Sequence, residues 1–483
     1  MFITKLLINN EAQDSSDAST FECIDPATGD ITSIAAAASL ADVELAAGAA
    51  AAAFPAWSDV GPSERRALLN RAADILIART ADFVDAMIGE TGATAAWARI
   101  NCTIAADTLR EAGAMTTQIT GEIVPSGKVG NLAMAVRQPA GVCLGIAPWN
   151  APIILGARAI AMPLACGNTT ILKASELCPR THCLIGDVML EAGFAPGVVN
   201  VITNAPKDAA AIVGALIASP AVRRINFTGS TRVGRLIAEA SARHLKRCLL
   251  ELGGKAPFIV LADADIDEAV RAAAFGAFMN QGQICMSTER IILMDDIADE
   301  FIAKFKAKAA ALVAGNPREC KMPLGAMIKA EAARRIIALV EDASHKGATL
   351  VCGGQARGTL IDATIIDNVT PAMRVYREES FGPVAAIIRV NSIDEAVTVA
   401  NDNEYGLSSA VFSRDIPQAL SVARRIETGI CHINEATVAD EPQMPFGGVK
   451  SSGYGRFGGK AAIDEFTELR WITVASGNRD YPI

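Results

Sequence analysis

Short apolar runs alternate with longer amphipathic segments along the middle of the chain. The apolar runs are short enough to predict buried strands, and the 3.6-residue period between them predicts helices. Alternating strands and helices predict right-handed crossovers and a parallel sheet, which binds nucleotides at the carboxyl ends of its strands. The strands are predicted at Val142–Ala147, Thr169–Leu172, Val198–Ile202, Arg224–Phe227 and Arg247–Leu250, and the helices at Ile153–Ala165, Arg180–Ala192 with Gly193 as its C-cap, Lys207–Ala218 and Thr231–Arg243.

The second half of the chain repeats this alternation, which predicts a second α/β domain. Its helices are predicted at Ile266–Asn280, Ile297–Val313, Ala330–Lys346, Ile393–Asn401 and Ile416–Glu427, and its strands at Arg290–Leu293, Val384–Val390 and Ser409–Phe412. The N-terminal third predicts an edge strand at Lys5–Asn9, helices at Ala41–Phe54 and Ser63–Thr80, and further helix within Glu90–Thr120. Ser63, which follows Pro62, is a candidate helix cap.

Composition limits the class of protein. A chain of 483 residues is too long for one simple core, so two or three domains are expected. A net charge of −9 argues against nucleic acid and anionic membrane surfaces as partners. The longest apolar region, Ala140–Leu172, has a membrane span as its alternative interpretation, but Pro148, Arg158 and Pro163 interrupt it. Met1–Asn10 is too short for a signal peptide, and a cytoplasmic protein is expected.

The eleven cysteines form no Cys-x-x-Cys pair and no zinc spacing with histidine, so no metal site is expected. Most of them are expected to be buried thiols, and Cys143, Cys166, Cys248 and Cys431 are assigned to the core. Cys285 differs because it follows Gln281-Gly-Gln-Ile, between a small-residue apolar stretch and an aliphatic strand.

Three separated groups match the needs of thioester chemistry. Cys285 is a candidate nucleophile, Glu251 a candidate base for water, and the Asn150 amide a candidate oxyanion donor. Each has an ordinary structural interpretation as a core thiol, a strand-end carboxylate or a turn residue. A Cys–His hydrolase is another alternative. However, His182, His244 and His345 lie on predicted helices or at their ends, where surface or interface histidines are common, and His432 lies in a strand-like run.

Seven motifs in order resemble the aldehyde dehydrogenase superfamily: PWN at 148–150, LKASE at 172–176, FTGSTRVG at 227–234, ELGGK at 251–255, GQIC at 282–285, EESFGP at 378–383 and PFGGVKSSGYGR at 445–456. Within it, the stretch from Arg224 to Arg290 is most similar to bacterial dehydrogenases of aromatic aldehydes, the salicylaldehyde and vanillin type. The resemblance implies that Cys285 attacks an aldehyde, that a nicotinamide accepts hydride, and that Glu251 activates water against the thioester. A CoA-acylating dehydrogenase, against which Glu251 argues, and a non-catalytic protein of the same fold remain the alternatives.

The resemblance also implies NAD as the cofactor. The chain has no GxGxxG fingerprint, but a strand–turn–helix at Thr228–Ser230 offers helix N–H groups to a phosphate. Glu176 would accept hydrogen bonds from ribose hydroxyls and repel a 2′-phosphate, which favours NAD over NADP. The implied cofactor residues are Pro148, Trp149, Lys173, Ser175, Glu176, Gly229, Ser230, Gly253, Glu379 and Phe381.

The substrate walls and domain boundaries follow from the same resemblance. Met and Trp side chains suit a flat ring, and Arg158 would add a charge or donor for a ring substituent, unless it pairs with a structural acid. The implied wall residues are Ala151, Arg158, Trp97, Met279, Met286 and Val438. The expected domains are 1–121 with 142–250 for the dinucleotide, 251–450 for catalysis, and 122–141 with 451–483 as an arm that joins a homodimer or homotetramer.

Overall fold

The computed structural model describes residues 1–319, 322–476 and 481–483. Its strands are β1 (Phe2–Thr4), β2 (Leu6–Ile8), β3 (Glu11–Gln13), β4 (Thr20–Ile24), β5 (Ile31–Ala36), β6 (Glu122–Val124), β7 (Asn131–Pro139), β8 (Val142–Ile146), β9 (Thr169–Lys173), β10 (Val199–Ile202), β11 (Val222–Thr228), β12 (Arg247–Glu251), β13 (Ala256–Val260), β14 (Thr288–Met294), β15 (Thr349–Cys352), β16 (Ala356–Arg357), β17 (Leu360–Ile361), β18 (Thr364–Asp367), β19 (Val384–Val390), β20 (Ala410–Phe412), β21 (His432–Ile433), β22 (Gly453–Tyr454) and β23 (Thr467–Ala475).

The α-helices are α1 (Leu40–Ser58), α2 (Pro62–Ala78), α3 (Thr80–Thr91), α4 (Ala95–Met115), α5 (Pro152–Ala165), α6 (Pro179–Ala192), α7 (Ala209–Ala218), α8 (Thr231–Arg243), α9 (Ile266–Phe278), α10 (Asp295–Ala310), α11 (Ala330–His345), α12 (Arg374–Arg377), α13 (Ile393–Asn401), α14 (Ile416–Ala423) and α15 (Ala461–Phe466). The described part of the chain contains no helix that is both long and apolar enough to cross a membrane.

The first large sheet has the strand order β22-β12-β11-β8-β9-β10-β2-β3. Strands β12 to β10 run parallel, and the short edge strands pair antiparallel. Apolar side chains of β8 alternate between two cores: Val142, Leu144 and Ile146 pack with α1, α7 and α8, whereas Cys143 packs with α2, α4, α5 and α6. Helices therefore cover both faces, and the predicted parallel α/β fold is confirmed.

The second large sheet has the order β15-β18-β19-β14-β13-β20-β21, with all strands parallel except β15. Its central strand β13 is absent from the sequence prediction. Proline is rare inside central strands, and Pro257 lies where the pairing of β13 with β14 shifts register. Phe258 and Val260 face α9 and α10, whereas Ile259 faces α11, α13 and α14.

Several predicted helix details are wrong for local reasons. Helix α2 begins at Pro62 after Gly61, because proline at the first helical position lacks only an N–H that would be unpaired anyway, so Ser63 is not the cap. Helix α9 ends at Phe278, two residues before the predicted end, where the backbone turns left-handed. Leu236 of α8 is exposed, because the buried face of this helix contains Gly234, Ile237 and Ser241.

Two of the four cysteines assigned to the core are fully buried and two are not. Cys143 and Cys166 are buried as predicted, whereas Cys248 and Cys431 are only partly buried. Cys248 lies on β12 next to the edge strand β22, where its Sγ contacts the Tyr454 hydroxyl at 3.0 Å. The edge position explains its partial exposure.

A third sheet combines two distant segments of the chain. Strand β7 pairs antiparallel with β6 and, over nine residues, with β23. Its surface exposes several large apolar side chains, among them Ile123, Leu132, Leu469 and Trp471. Before it reaches this sheet, the C-terminal segment contributes β22 to the first large sheet.

Candidate active site

A left-handed turn carries the chain from α9 to Cys285. Asn280, Gln281 and Gly282 have φ angles of 49°, 56° and 66°, a conformation that costs free energy in non-glycine residues and persists only where neighbours fix it. Gln281 is fixed by side-chain hydrogen bonds: its Oε1 accepts from Gly325 N at 2.9 Å, and its Nε2 donates to the carbonyls of Ala326 at 3.1 Å and Gly92 at 3.5 Å. Gly382 packs directly on Gly282, because a Cβ on Gly282 would lie 2.1 Å from the Gly382 carbonyl oxygen.

Cys285 lies partly buried after this turn, and its backbone N–H donates to no acceptor among the described residues. Gly254 packs directly on it, since a Cβ there would come within 2.3 Å of the Cys285 carbonyl oxygen. Burial, followed by the negative charge of Glu251, raises the pKa of the Cys285 thiol well above its usual range. The sulfur in this arrangement is a protonated thiol, so a further positive charge is needed to favour the thiolate.

Glu251 is the last residue of β12, where it pairs with Thr228 on one side and Gly453 on the other. Its side chain is buried, and neither carboxylate oxygen has a hydrogen-bond partner among the described residues. Burial raises the pKa of Glu251 to about 7, against the opposing influence of the nearby Cys285 thiol and the Arg158 charge. A carboxyl group that titrates near neutral pH is suited to take and return a proton.

Asn150 completes this group of three. Its Nδ2 donates one hydrogen bond to the Gln283 carbonyl at 3.0 Å, which orients the amide and leaves a second N–H. The backbone carbonyl of Asn150 accepts hydrogen bonds from Trp97 Nε1 and Asn280 Nδ2, each at 3.0 Å. Asn150 is therefore fixed by the same turn that carries Cys285.

Two hollows meet at these residues. The outer cleft is lined by Pro148, Trp149, Asn150, Thr228, Gly229, Ser230, Glu251, Leu252, Gly253, Cys285, Arg335, Glu379 and Phe381. The inner cavity is lined by Trp97, Ile100, Ile104, Asn150, Ala151, Ile154, Leu155, Arg158, Phe275, Ile284, Cys285, Met286, Val438, Asp440 and Phe446. Asn150 and Cys285 belong to both linings, so a group bound in either hollow reaches the thiol.

The outer cleft includes the start of α8. Ser230 is its N-cap, and the Ser230 Oγ accepts a hydrogen bond from Val233 N at 3.4 Å. Gly229 is constrained by the Phe227 ring, because a Cβ would lie 2.4 Å from a ring carbon. Free N–H groups at this helix start are suited to receive an anion.

Lys173, Ser175 and Glu176 lie at the carboxyl end of β9, beyond the residues that line the outer cleft. Lys173 Nζ forms an ion pair with Glu176 Oε1, which also accepts from Asn204 Nδ2 at 3.0 Å. Burial raises the pKa of Glu176, but the charge and hydrogen bond of Lys173 outweigh it and lower the pKa. Glu176 is thus ionised at neutral pH.

Glu379 and Phe381 face the opposite side of the outer cleft. Glu379 Oε1 accepts from Gly254 N at 2.8 Å, and a Cβ on Gly253 would lie 2.7 Å from the other carboxylate oxygen. Burial and the neighbouring Glu289 raise the pKa of Glu379 to about 8. The Phe381 ring meets Trp149 edge-on, with centroids 5.8 Å apart.

A buried ion pair fixes the loop that carries these two residues. Lys255 Nζ lies 2.5 Å from Glu289 Oε2, and Glu289 accepts hydrogen bonds from Ser380 N, Ser380 Oγ and Phe381 N at 2.7–3.0 Å. Arg335 of α11 donates to the carbonyls of Glu379 and Ser380 at 2.9 and 2.8 Å. Glu289 and Arg335 together therefore fix the backbone of Glu379, Ser380 and Phe381.

The sequence profile described as the aldehyde dehydrogenase family matches residues 13–472. The chain belongs to the aldehyde dehydrogenase family. It is 58% identical over 483 residues to a vanillin dehydrogenase from Pseudomonas fluorescens, covering all of both chains. A benzaldehyde dehydrogenase [NAD(+)] from Pseudomonas putida is 38% identical over 461 residues, which cover 95% of this chain and 94% of the relative. The crystal structure of a salicylaldehyde dehydrogenase from Pseudomonas putida G7, complexed with salicylaldehyde, superposes with a TM-score of 0.98 at 50% identity, and all of both chains is covered.

The residues proposed for the substrate wall of this aldehyde dehydrogenase lie around the inner cavity, with one exception. Met279 begins the short 3-10 turn Met279–Gly282 and is absent from the lining. Helix α9 ends one residue before Met279, so its side chain does not continue the helix face that a longer α9 would present. Met286, just after Cys285, belongs to the wall.

Arg158 is not an isolated charge. Its Nη2 donates to Asp440 Oδ2, and its guanidinium lies 4.4 Å from the centre of the Phe446 ring and 5.9 Å from that of Phe457. The acid lies in the loop after β21 and not on the same helix. The ion pair leaves this part of the wall close to neutral.

The histidine predictions need one correction. His182, predicted to be a surface or interface residue, is fully buried on α6, where its Nδ1 accepts from Ser175 N at 3.0 Å. Burial lowers its pKa to about 3, so it is neutral. No described histidine lines the outer cleft or the inner cavity, which leaves the Cys–His hydrolase without support.

Sequence reasoning missed Thr228, Leu252 and Arg335 in the outer cleft. In the inner cavity it missed Asp440 and the apolar residues Ile100, Ile104, Ile154, Leu155, Phe275, Ile284 and Phe446. Thr228 and Leu252 adjoin recognised motif residues, so adjacency was a usable signal. Arg335 and Asp440 lie in segments without a local motif. Within the described residues, no group of three or more His, Cys, Asp or Glu side chains is placed to hold a metal ion.

Proposed function

We propose that this chain oxidises an aromatic aldehyde to the carboxylic acid, with NAD as the hydride acceptor and Cys285 as the nucleophile. One observation carries the proposal: the thiol lies where the outer cleft and the inner cavity meet, with Asn150 and Glu251 beside it. The thiol can therefore face a ring on one side and a dinucleotide on the other.

The chemistry of the outer cleft, together with the carboxyl end of β9 beyond it, fits a dinucleotide. Gly229 and Ser230 would bind the pyrophosphate at the start of α8, and Lys173, Ser175 and Glu176 the adenosine ribose. Pro148, Trp149, Gly253, Glu379 and Phe381 would surround the nicotinamide half. The ionised Glu176 would repel a 2′-phosphate, so NAD is favoured over NADP. When bound, the dinucleotide supplies a hydride acceptor and a positive ring, which favours the Cys285 thiolate.

The protein groups then divide the work. The Cys285 sulfur attacks the aldehyde carbon, and the oxygen that becomes negative is held by the free N–H of the Asn150 amide and by the Cys285 backbone N–H. Loss of hydride from this adduct leaves a thioester on Cys285. Glu251, with a pKa of about 7, takes a proton from water, whose attack releases the carboxylic acid.

The inner cavity supports an aromatic substrate. Its lining combines Trp97, Met286, Val438 and Phe446 with the small Ala151, which leaves room for a ring. The relatives named for vanillin, salicylaldehyde and benzaldehyde oxidation agree with this choice. The test is kcat/KM for benzaldehydes against straight-chain aldehydes, with NAD and with NADP. Higher values for straight-chain aldehydes would refute the aromatic assignment, and a large NADP preference would refute the cofactor assignment.

We also propose a homodimer or homotetramer, joined through 122–141 and the C-terminal part of 451–483. The exposed apolar side chains on the sheet of β6, β7 and β23 support this. The remaining assignments are a dinucleotide domain of 1–121 with 142–250, a catalytic domain of 251–450, and a cytoplasmic location. The described cysteines are all unpaired, which suits a reducing compartment. Light scattering at several concentrations tests the assembly, and a monomer throughout would refute it.

A further inference from the structure

The wall of the inner cavity contains an ion pair that the proposed chemistry does not use. Arg158 of α5 and Asp440 of the loop after β21 are 7% and 10% exposed in their side chains. Both line the inner cavity, and both also line a small side cavity beside it. The Phe446 ring packs on the guanidinium at 4.4 Å, so the pair has little freedom to rearrange.

One oxygen of this pair is unused. Asp440 Oδ2 accepts from Arg158 Nη2, whereas Asp440 Oδ1 is buried and has no hydrogen-bond partner among the described residues. A buried carboxylate oxygen without a donor is costly, so a donor that reaches it gains more than it would in water. Arg158 uses only one of its five N–H groups in described hydrogen bonds.

Charge decides which ring substituent matches this pair. An unpaired arginine would attract an anion such as a phenolate, but the Asp440 charge offsets Arg158 and would repel that anion. An un-ionised hydroxyl group matches both partners, because its oxygen accepts from an arginine N–H while its proton reaches the free carboxylate oxygen.

We propose that Asp440 is a specificity-determining residue, which selects aldehydes whose ring carries an un-ionised hydroxyl group by accepting a hydrogen bond from it. This inference rests on the proposed oxidation of aromatic aldehydes and names the substrate class within it. Other titratable groups surround the pair: Glu251 and Cys285 interact with it on the thiol side, and Glu111 and Glu441 line the side cavity. A control substrate must therefore meet the same protein groups.

The first test uses the wild-type enzyme. We would measure kcat/KM for 2-, 3- and 4-hydroxybenzaldehyde and divide each by the value for its methoxy counterpart, which lacks the donor, from pH 6 to pH 9. We expect at least one isomer to be preferred by about tenfold while its hydroxyl is un-ionised, the usual effect of one hydrogen bond to a charged group. The ratio should fall as that hydroxyl ionises. A ratio that rises with ionisation, or no preference for any isomer, would overturn the proposal.

The second test removes the acceptor charge by Asp440→Asn and compares it with Glu441→Gln, which neutralises the exposed neighbouring residue instead. The preferred isomer should lose its tenfold advantage in Asp440→Asn and keep it in Glu441→Gln. A purely steric rejection of the methoxy group would survive in Asp440→Asn and would contradict the proposal. If Asp440→Asn does not fold, the wild-type pH series decides alone. If the wild type forms no NADH with any benzaldehyde, the proposed function itself fails, and this inference fails with it.

Discussion

Replacing Glu251 by glutamine separates the two halves of the proposed reaction. The substitution keeps the shape of the buried side chain and removes the base, while Cys285 and Asn150 keep their positions. Hydride transfer precedes the step that needs this base, so we expect one equivalent of NADH per site in a burst, followed by turnover at least about a hundredfold slower, the usual contribution of a general base.

The pKa of Glu251 gives a second expectation, for the wild type. Burial raises this pKa to about 7, so the ionised fraction rises from about a tenth at pH 6 to about nine tenths at pH 8. Where release of the acid limits kcat, kcat should therefore rise roughly tenfold between pH 6 and pH 8 and level off above. In Glu251→Gln this rise should disappear.

Stopped-flow absorbance of NADH, followed by steady-state rates across pH, measures both effects. Glu404→Gln is the matched control, because Glu404 is an exposed glutamate paired with Arg235, and it should behave as the wild type. Loss of the burst in Glu251→Gln would refute the assignment, since it would show that Glu251 acts before hydride transfer.

Three further predictions address the nucleophile, the cofactor and the turn. Cys285→Ala should form no NADH in a burst or at steady state, and retained formation would refute the thioester mechanism. Glu176→Gln should raise kcat/KM for NADP relative to NAD by about tenfold in steady-state kinetics, because it removes a charge that repels the 2′-phosphate; an unchanged ratio contradicts that role. Gly282→Ala should lower the free energy of unfolding by at least about 2 kcal/mol in urea, because its φ is +66° and its Cβ would lie 2.1 Å from a carbonyl oxygen. Gly214→Ala is its control, because Gly214 lies in α7 and a Cβ there would meet no atom within 4 Å; this substitution should raise the free energy of unfolding by about 0.5–1 kcal/mol. Equal changes in the free energy of unfolding in the two variants would contradict the packing argument.

The alternation of elements was readable because it is local. Runs such as Val142–Ile146 and the helix Thr231–Arg243 show their period directly in the sequence. Strand β13 was not readable, because Pro257 is atypical of a central strand and only pairing with β14 and β20 makes it one. The left-handed turn after the helix end at Phe278 packs at Gly282 against Gly382, a contact that sequence spacing does not reveal.

In the candidate site, too, residues within local motifs could be predicted, and contacts between distant segments could not. Cys285, Glu251 and Asn150 lie in motifs, so each was identified before its neighbours were known. The Lys255–Glu289 and Arg158–Asp440 pairs join residues 34 and 282 positions apart in the chain, and Asp440 lies in no segment singled out by its sequence. Which buried charges form an ion pair depends on the folded arrangement of the chain and cannot be read from the sequence.

The meeting of two hollows at one sulfur has a kinetic consequence. In the proposed arrangement the ring and the dinucleotide contact the thiol from different hollows, so we expect an unreactive benzene derivative to compete with the aldehyde and to leave the apparent affinity for NAD unaffected.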